Sequence, residues 1–113
     1  MATSKIKSYI EGTWQNVPSQ PDPSVTALKY MIRNGVCYVN MYDNGNFNLT
    51  QGSWVTMGIL PENARPSTTV YGSFFNRTGN GGEWAVQGNG EVKVNSSYTG
   101  RMFISTSLAV PIA

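Results

Sequence analysis

The sequence of 113 residues contains no histidine and a single cysteine, Cys37. Without histidine the chain has no imidazole base, no histidine metal ligand, and no Ser-His-Asp or Cys-His arrangement. A single cysteine excludes an internal disulfide bond and every zinc motif built on cysteine pairs. We therefore expect no metal site and no cofactor, and we interpret Cys37 as a small buried apolar residue.

Charge is also scarce. Charged residues make up 12% of the chain, with eight Lys or Arg and six Asp or Glu, about half of the usual quarter. The basic residues form no cluster, so the sequence predicts no binding of nucleic acid or of an anionic membrane. It has no apolar run of transmembrane length and no signal-peptide core near its start, which predicts synthesis in a reducing cytoplasm without membrane insertion.

Neutral polar residues and glycine take the place of the missing charges: 11 Asn, 11 Ser, 10 Thr and 12 Gly. These are mediocre helix formers and good turn formers. Thirteen aromatic residues supply the apolar area that disordered chains lack. The length suits one domain rather than two. The composition therefore favours a single domain of short strands with little helix.

The Asn34-Gly35 pair between two apolar runs predicts a two-residue type I′ hairpin, since both central residues of that turn need positive φ. This turn fixes a register with a clean apolar face, on which Ile32 lies opposite Cys37, Tyr30 opposite Val39 and Leu28 opposite Met41. The other face carries Met31, Tyr38 and Tyr42. Because that face is too apolar for an ordinary wet surface, we expect it to meet a second sheet or another subunit.

A second hairpin is predicted around Gly88-Asn89-Gly90. A two-residue loop would place Val86 opposite Glu91, whereas a three-residue loop places Val86 opposite Val92 and Trp84 opposite Val94. The three-residue loop is preferred because it brings all four apolar side chains to one face.

The remaining segments are assigned by their turn and breaker residues. Residues 12–23 contain three prolines and read as extended, 43–46 (DNGN) as a turn, and 76–82 (NRTGNGG) as an exposed loop tip. Strands are expected at 54–60, with Val55, Met57 and Ile59 inward, at 68–75 and at 101–110. The prediction is an extended N-terminal segment (1–23) and an all-β head domain (24–113), an antiparallel β-sandwich or small jelly-roll-like barrel.

Three motifs in order resemble the C-terminal head domains of receptor-binding and tail-fibre proteins of siphophages and prophages of Gram-positive bacteria. A strand-NG-strand hairpin (YMIRNGVCYVNM) comes first, an LP-x-x-x-RPS segment (Leu60 to Ser67) second, and an NG-x-V hairpin (Asn89 to Val92) last. The match covers roughly residues 24 to 112. The resemblance implies a homotrimeric head, made in the host cytoplasm and assembled on the virion tail beside other tail or baseplate proteins, that recognises host cell-wall saccharide.

A saccharide site needs flat apolar faces and planar polar groups held by a rigid sheet. The two Gly-rich loops of 76–90 offer such groups, and we expect the hairpin to bring those loops together. The carbohydrate-binding candidates are Trp84, Arg77, Asn80, Glu83 and Asn89. The alternative for Trp84 is a core position opposite Val94, and Glu83 and Asn80 are alternatively solvated loop residues.

Met31, Tyr38, Tyr42 and Trp54 are the candidates for a subunit interface, and Trp54 alternatively belongs to the core or to a binding site. Trp14 is interpreted as a plug packed on the sheet. Asp43, Glu83 and Glu91 are conceivable partners in a two-carboxylate glycosidase, but nothing in their spacing indicates that they converge, so we expect no enzymatic activity. Two other hypotheses stay open: a structural trimerisation or baseplate module with protein contacts only, and a free-standing lectin or adhesin domain.

Overall fold

The computed structural model describes residues 12–18, 27–76 and 79–112, which form eight β-strands and one short 3-10 helix. In chain order the strands are β1 (Gln15–Asn16), β2 (Ala27–Arg33), β3 (Val36–Leu49), β4 (Trp54–Ile59), β5 (Val70–Phe75), β6 (Gly81–Val86), β7 (Glu91–Ser96) and β8 (Gly100–Pro111). The 3-10 helix (Glu62–Ala64) lies between β4 and β5.

The strands form two four-stranded antiparallel sheets that pack face to face. Sheet A has the order β1-β2-β3-β8 and sheet B the order β4-β7-β6-β5. In sheet B the consecutive strands β5, β6 and β7 form hairpins and β4 returns beside β7, which is a Greek-key order. The predicted antiparallel β-sandwich is confirmed.

The register predicted for the first hairpin is confirmed along its whole length. Ile32 pairs with Cys37, Tyr30 with Val39 and Leu28 with Met41. Asn34 (φ 51°) and Gly35 (φ 77°) both have positive φ, as a type I′ turn requires. All six paired side chains are buried, and burial raises the pKa of the Cys37 thiol to about 12. The thiol is therefore protonated and enclosed, which makes it unreactive.

The second hairpin also has the predicted register, with Val86 opposite Val92 and Trp84 opposite Val94. Its loop is closed by hydrogen bonds from the Gly90 N–H to the Gln87 carbonyl (2.8 Å) and from the Gln87 N–H to the Glu91 carbonyl (3.0 Å). Gly90 has φ of 92°, a conformation that favours glycine. The loop thus has three residues, and the four apolar side chains face the core.

The prediction of a chain reversal at 43–46 is wrong. These residues continue strand β3, and the pairing of β3 with β8 shifts between Asn44 and Asn48. The carboxylate of Asp43 is buried, and its Oδ2 accepts the backbone N–H groups of Asn46 and Phe47, both at 3.0 Å. The Asp, Asn and Gly residues therefore build a bulge within a long strand, a local structure with turn-like residue preferences.

A bulge also alters the predicted inward face of β4. The pairing with β7 shifts between Thr56 and Gly58, so strict alternation fails beyond Met57. Met57 and Leu60 are fully buried, whereas Val55 and Ile59 are only partly buried. The prediction for Met57 is confirmed, and the core position expected of Ile59 is taken by Leu60.

The LP-x-x-x-RPS and NG-x-V motifs contact each other. The Leu60 N–H donates to the Gly90 carbonyl (2.8 Å), and Arg65 Nε donates to the Leu60 carbonyl (2.9 Å). A Cβ atom at Gly90 would lie 2.5 Å from Arg65 Nε, so the arginine needs the glycine beside it. These two motifs therefore have a structural role, because they fasten the second hairpin to the loop that follows β4.

Trp84 lies in the core with its indole ring over Gly72, its partner on β5. A Cβ atom at Gly72 would lie 2.2 Å from Cζ2 of Trp84. Gly72 thus makes room for an aromatic ring of the neighbouring strand.

We expect Gly72→Ala to lower the free energy of unfolding by about 1–3 kcal/mol, because the Trp84 ring must leave its position to admit a methyl group. Chemical denaturation followed by circular dichroism measures the loss. Gly88→Ala is the matched control: its Cβ would meet only carbonyl oxygens at 3.6 Å, so a change within about 0.5 kcal/mol is expected. Equal stability of the two variants would contradict the packing described for Trp84.

Candidate functional site

The loops expected to converge lie at opposite ends of β6. Asn80 directly precedes this strand and Asn89 belongs to the loop that follows it, and six extended residues span about 20 Å. The prediction that the hairpin brings the two Gly-rich loops together is therefore wrong, because the strand between them is extended.

The five carbohydrate-binding candidates have different surroundings. Trp84 is 9% exposed and belongs to the core, so its ring is not available as a platform. Asn89 is engaged with Glu91: its Oδ1 accepts the Glu91 N–H (3.0 Å), and its Nδ2 donates to Glu91 Oε2 (2.7 Å). Asn80 and Glu83 are exposed, while Arg77 lies outside the described residues.

Glu83 is the candidate that lies on the outer face of sheet B. It pairs with Asn95 on β7, which in turn pairs with Trp54 on β4. Side chains of directly paired residues project on the same side of a sheet. Since Trp84 and Val94 face the core, Glu83, Asn95 and Trp54 face outward.

The next outward row contains Tyr71 on β5, Ala85 on β6, Lys93 on β7 and Thr56 on β4. Tyr71 is 64% exposed and Trp54 is 42% exposed. Their ring centroids are 6.4 Å apart at an interplanar angle of 63°. The two aromatic rings thus meet edge to face although β7 and β6 lie between their strands. The small side chain of Ala85, which lies between the rings, leaves room for this contact.

These two rings flank a shallow cleft of about 170 Å³, here called the aromatic cleft. It is lined by Trp54, Tyr71, Ala85, Gln87 and Lys93. Phe75, 78% exposed, continues the outward row of β5 beyond Tyr71 and Ser73. Exposed aromatic rings beside an amide and an ammonium group form a surface that can cover the apolar side of a ligand and hydrogen-bond its rim.

Glu91 lies beside Lys93, which lines the cleft. Its Oε1 accepts the Thr56 hydroxyl (2.9 Å) and lies 3.9 Å from Lys93 Nζ. The hydrogen bonds from Asn89 and Thr56, with a smaller contribution from Lys93, hold the pKa of the Glu91 carboxyl below its usual range. Lys93 thus lines the cleft with a carboxylate already beside it.

Asn95 has an unsatisfied acceptor on the same face. Its Oδ1 is enclosed and has no hydrogen-bond donor among the residues that the structure describes. An enclosed acceptor without a donor costs about 1–3 kcal/mol. Asn95 lies beside the exposed carboxylate of Glu83 on this face.

The four residues expected at a subunit interface do not form one surface. Met31, Tyr38 and Tyr42 lie on the outer face of sheet A, while Trp54 lies on the outer face of sheet B. Trp14, expected to be a plug, precedes edge strand β1 and is 42% exposed. Each outer face of the sandwich thus carries exposed or half-exposed aromatic side chains.

No family model matches the chain, and no curated protein matches it either. Among solved structures, the chain is similar to the head domain of phage bIL170. The crystal structure of that domain addresses whether the receptor-binding domains of lactococcal phages have a common fold. The alignment covers 89% of this chain and 98% of that one, with a TM-score of 0.62 and 21% sequence identity. The two chains share a fold.

Within residues 12–18, 27–76 and 79–112, no group of three or more His, Cys, Asp or Glu side chains could hold a metal ion. No helix in this part of the chain is long and apolar enough to cross a membrane.

Sequence reasoning missed Tyr71, Gln87 and Lys93 as site residues. The signal was present for two of them, because the register that turns Trp84, Val86, Val92 and Val94 inward turns Ala85, Gln87 and Lys93 outward. The sequence contains no comparable signal for Tyr71. Its cross-strand neighbour depends on the pairing of β5 with β6, and no two-residue turn fixes that register.

We expect Glu91→Gln to flatten the dependence of the melting temperature on pH. The carboxyl pKa is lower in the folded chain than in the unfolded chain, so its contribution is present above the unfolded value of about 4.3 and is lost as pH falls through the folded value. Thermal melts between pH about 6 and pH about 3 measure the difference. Glu62→Gln, an exposed carboxylate outside sheet B, should keep the wild-type dependence. An identical slope in Glu91→Gln and wild type would disprove the role of the Glu91 hydrogen bonds.

Proposed function

We propose that the chain is a receptor-binding head domain of a phage tail that recognises host cell-surface carbohydrate without catalysis. The observation that carries the proposal is the aromatic cleft, in which two exposed rings lie beside hydrogen-bonding groups on a rigid sheet. The fold shared with the head domain of phage bIL170 over 89% of the chain supports the phage assignment. Such a protein is made in the host cytoplasm and assembled on the virion tail beside other tail or baseplate proteins.

The head domain acts, in this proposal, as a homotrimer that buries part of the outer face of sheet A. Met31 and Tyr38 are half-buried there and Tyr42 is exposed, and aromatic residues and methionine are enriched at subunit contacts. Closed cyclic symmetry would cover this face in all three copies. Three shallow sites on one particle gain avidity, so weak binding at each site is sufficient.

The placement of the carboxylates supports a role in binding rather than hydrolysis. Asp43 is buried in sheet A, whereas Glu83 and Glu91 lie on the outer face of sheet B. Glu83 and Glu91 are separated by four residue positions along the ladder, about 13 Å. The backbone positions of this pair are thus farther apart than the carboxyl groups of a glycosidase, which lie about 5–9.5 Å apart.

A structural module with protein contacts only is the second candidate function. The exposed rings of sheet B favour it if they pack against another tail protein rather than a saccharide. It predicts the same fold and assembly but no response to wall polysaccharide. A free-standing lectin or adhesin domain would bind saccharide as well, and tail genes beside the coding sequence would separate it from the phage protein.

We expect Trp54→Ala to weaken binding to host cells at least about tenfold, because the variant removes one wall of the aromatic cleft. Fluorescently labelled protein and flow cytometry of host cells measure it. Trp14→Ala is the matched control, since Trp14 is also 42% exposed but lies at the edge of sheet A.

Light scattering of the same variants separates ligand binding from assembly. Wild type and Trp54→Ala should both have the mass of a trimer. Full binding by Trp54→Ala would overturn the assignment of the cleft, and dissociation of Trp54→Ala into monomers would assign Trp54 to the subunit contact instead.

A further inference from the structure

We propose that the aromatic cleft binds an uncharged saccharide and discriminates against the anionic polymers of the cell wall. This inference rests on the proposed function and names the class of ligand for the same site. It follows from the charges on sheet B, the exposed carboxylate of Glu83, and the shape of the cleft.

The charge of the outer face is unsuited to an anionic ligand. The four strands of sheet B carry three charged residues, Glu83, Glu91 and Lys93, two carboxylates against one ammonium. The ammonium of Lys93 lies 3.9 Å from Glu91 Oε1, and the depressed pKa of Glu91 keeps that carboxylate ionised at neutral pH. A phosphate or carboxylate of a ligand would compete with Glu91 for Lys93 and would meet Glu83 nearby.

The hydrogen-bonding groups favour a ligand rich in hydroxyl donors. Glu83 is exposed and has no ion-pair partner within the described ranges. A carboxylate accepts hydrogen bonds from neutral hydroxyl groups at about 2.5–2.7 Å and strengthens them by its charge. Saccharide hydroxyls supply such donors, whereas a phosphodiester supplies only acceptors.

The shape of the cleft favours a ring with a flat apolar side. Trp54 and Tyr71 present an edge-to-face pair over the methyl group of Ala85. At about 170 Å³ the cleft is smaller than the 300–1,000 Å³ typical of drug-sized ligands. It can therefore enclose only a small unit of a longer chain, with the C–H face of a sugar against the rings and its hydroxyls toward Gln87.

The outer face of sheet A differs in charge from the outer face of sheet B. Lys29 and Arg33 are both exposed on the outer face of sheet A, while Asp43 of that sheet is buried. Among the described residues of sheet A, these two side chains thus offer positive charge to an anionic polymer on the side of the sandwich opposite the aromatic cleft.

Host wall polysaccharide is first separated into a neutral and an acidic fraction on an anion exchanger. Each fraction is then titrated into the intact protein by calorimetry, once at about 50 mM NaCl and once at about 500 mM NaCl. The expected result is binding of the neutral fraction with an affinity that changes less than about twofold with salt. Trp54→Ala should lose this binding at least about tenfold, and Trp14→Ala should retain it. Glu83→Gln should weaken it several-fold, with Glu62→Gln as the carboxylate control outside sheet B.

Binding of the acidic fraction alone, with an affinity that falls at least about tenfold at the higher salt concentration, would overturn the inference and leave the proposed function intact. Binding of the neutral fraction that Trp54→Ala retains would also overturn it, since the site would then lie elsewhere. Failure of both fractions and of intact host cell walls to bind would overturn the proposed function together with the inference.

Discussion

Positive φ angles at two chain reversals decide which side chains reach the interior of the sandwich and which reach its outer faces. Asn34 and Gly35 set the pairing of β2 with β3, and Gly90 sets the pairing of β6 with β7. In a strand the side chains alternate, so a slip of one residue would exchange the two faces. The outward positions of the cleft residues on β6 and β7 therefore depend on this three-residue loop. Leu60 donates a hydrogen bond to Gly90 of the loop, and Arg65 donates one to the Leu60 carbonyl.

The two faces of sheet B divide the aromatic residues between the core and the exposed surface. Trp84 packs over Gly72 in the core, while Trp54 and Tyr71 lie on the opposite side over Ala85. In both cases a small residue on the neighbouring strand makes room for a ring. A small residue beside an aromatic ring thus permits close packing in the core on one side of the sheet and leaves a shallow cleft on the other. The rings of the cleft stay exposed because no element of the described chain covers sheet B.

Local turn chemistry made much of the fold predictable, whereas pairings between distant strands were not. Asn34-Gly35 and Gly88-Asn89-Gly90 each favour one register because only that register gathers the apolar side chains on one face. Asp43 misled the prediction because a carboxylate that accepts two backbone N–H groups suits a bulge as well as a turn. The approach of Trp54 to Tyr71 depends on the Greek-key order of sheet B, in which the two residues lie on the edge strands β4 and β5 with β7 and β6 between them. Sequence order gives no direct sign of that meeting, so the loops, rather than the sheet face, were expected to bind.

Chemical-shift mapping shows whether a ligand binds on the outer face of sheet B. Backbone amide spectra of ¹⁵N-labelled protein would be recorded during titration with host wall saccharide. We expect small changes in the core and in sheet A, and the largest shifts on the cleft residues Trp54, Tyr71, Ala85, Gln87 and Lys93. Shifts concentrated around Met31, Tyr38 and Tyr42 would contradict this expectation, because the ligand would then occupy the opposite face of the sandwich.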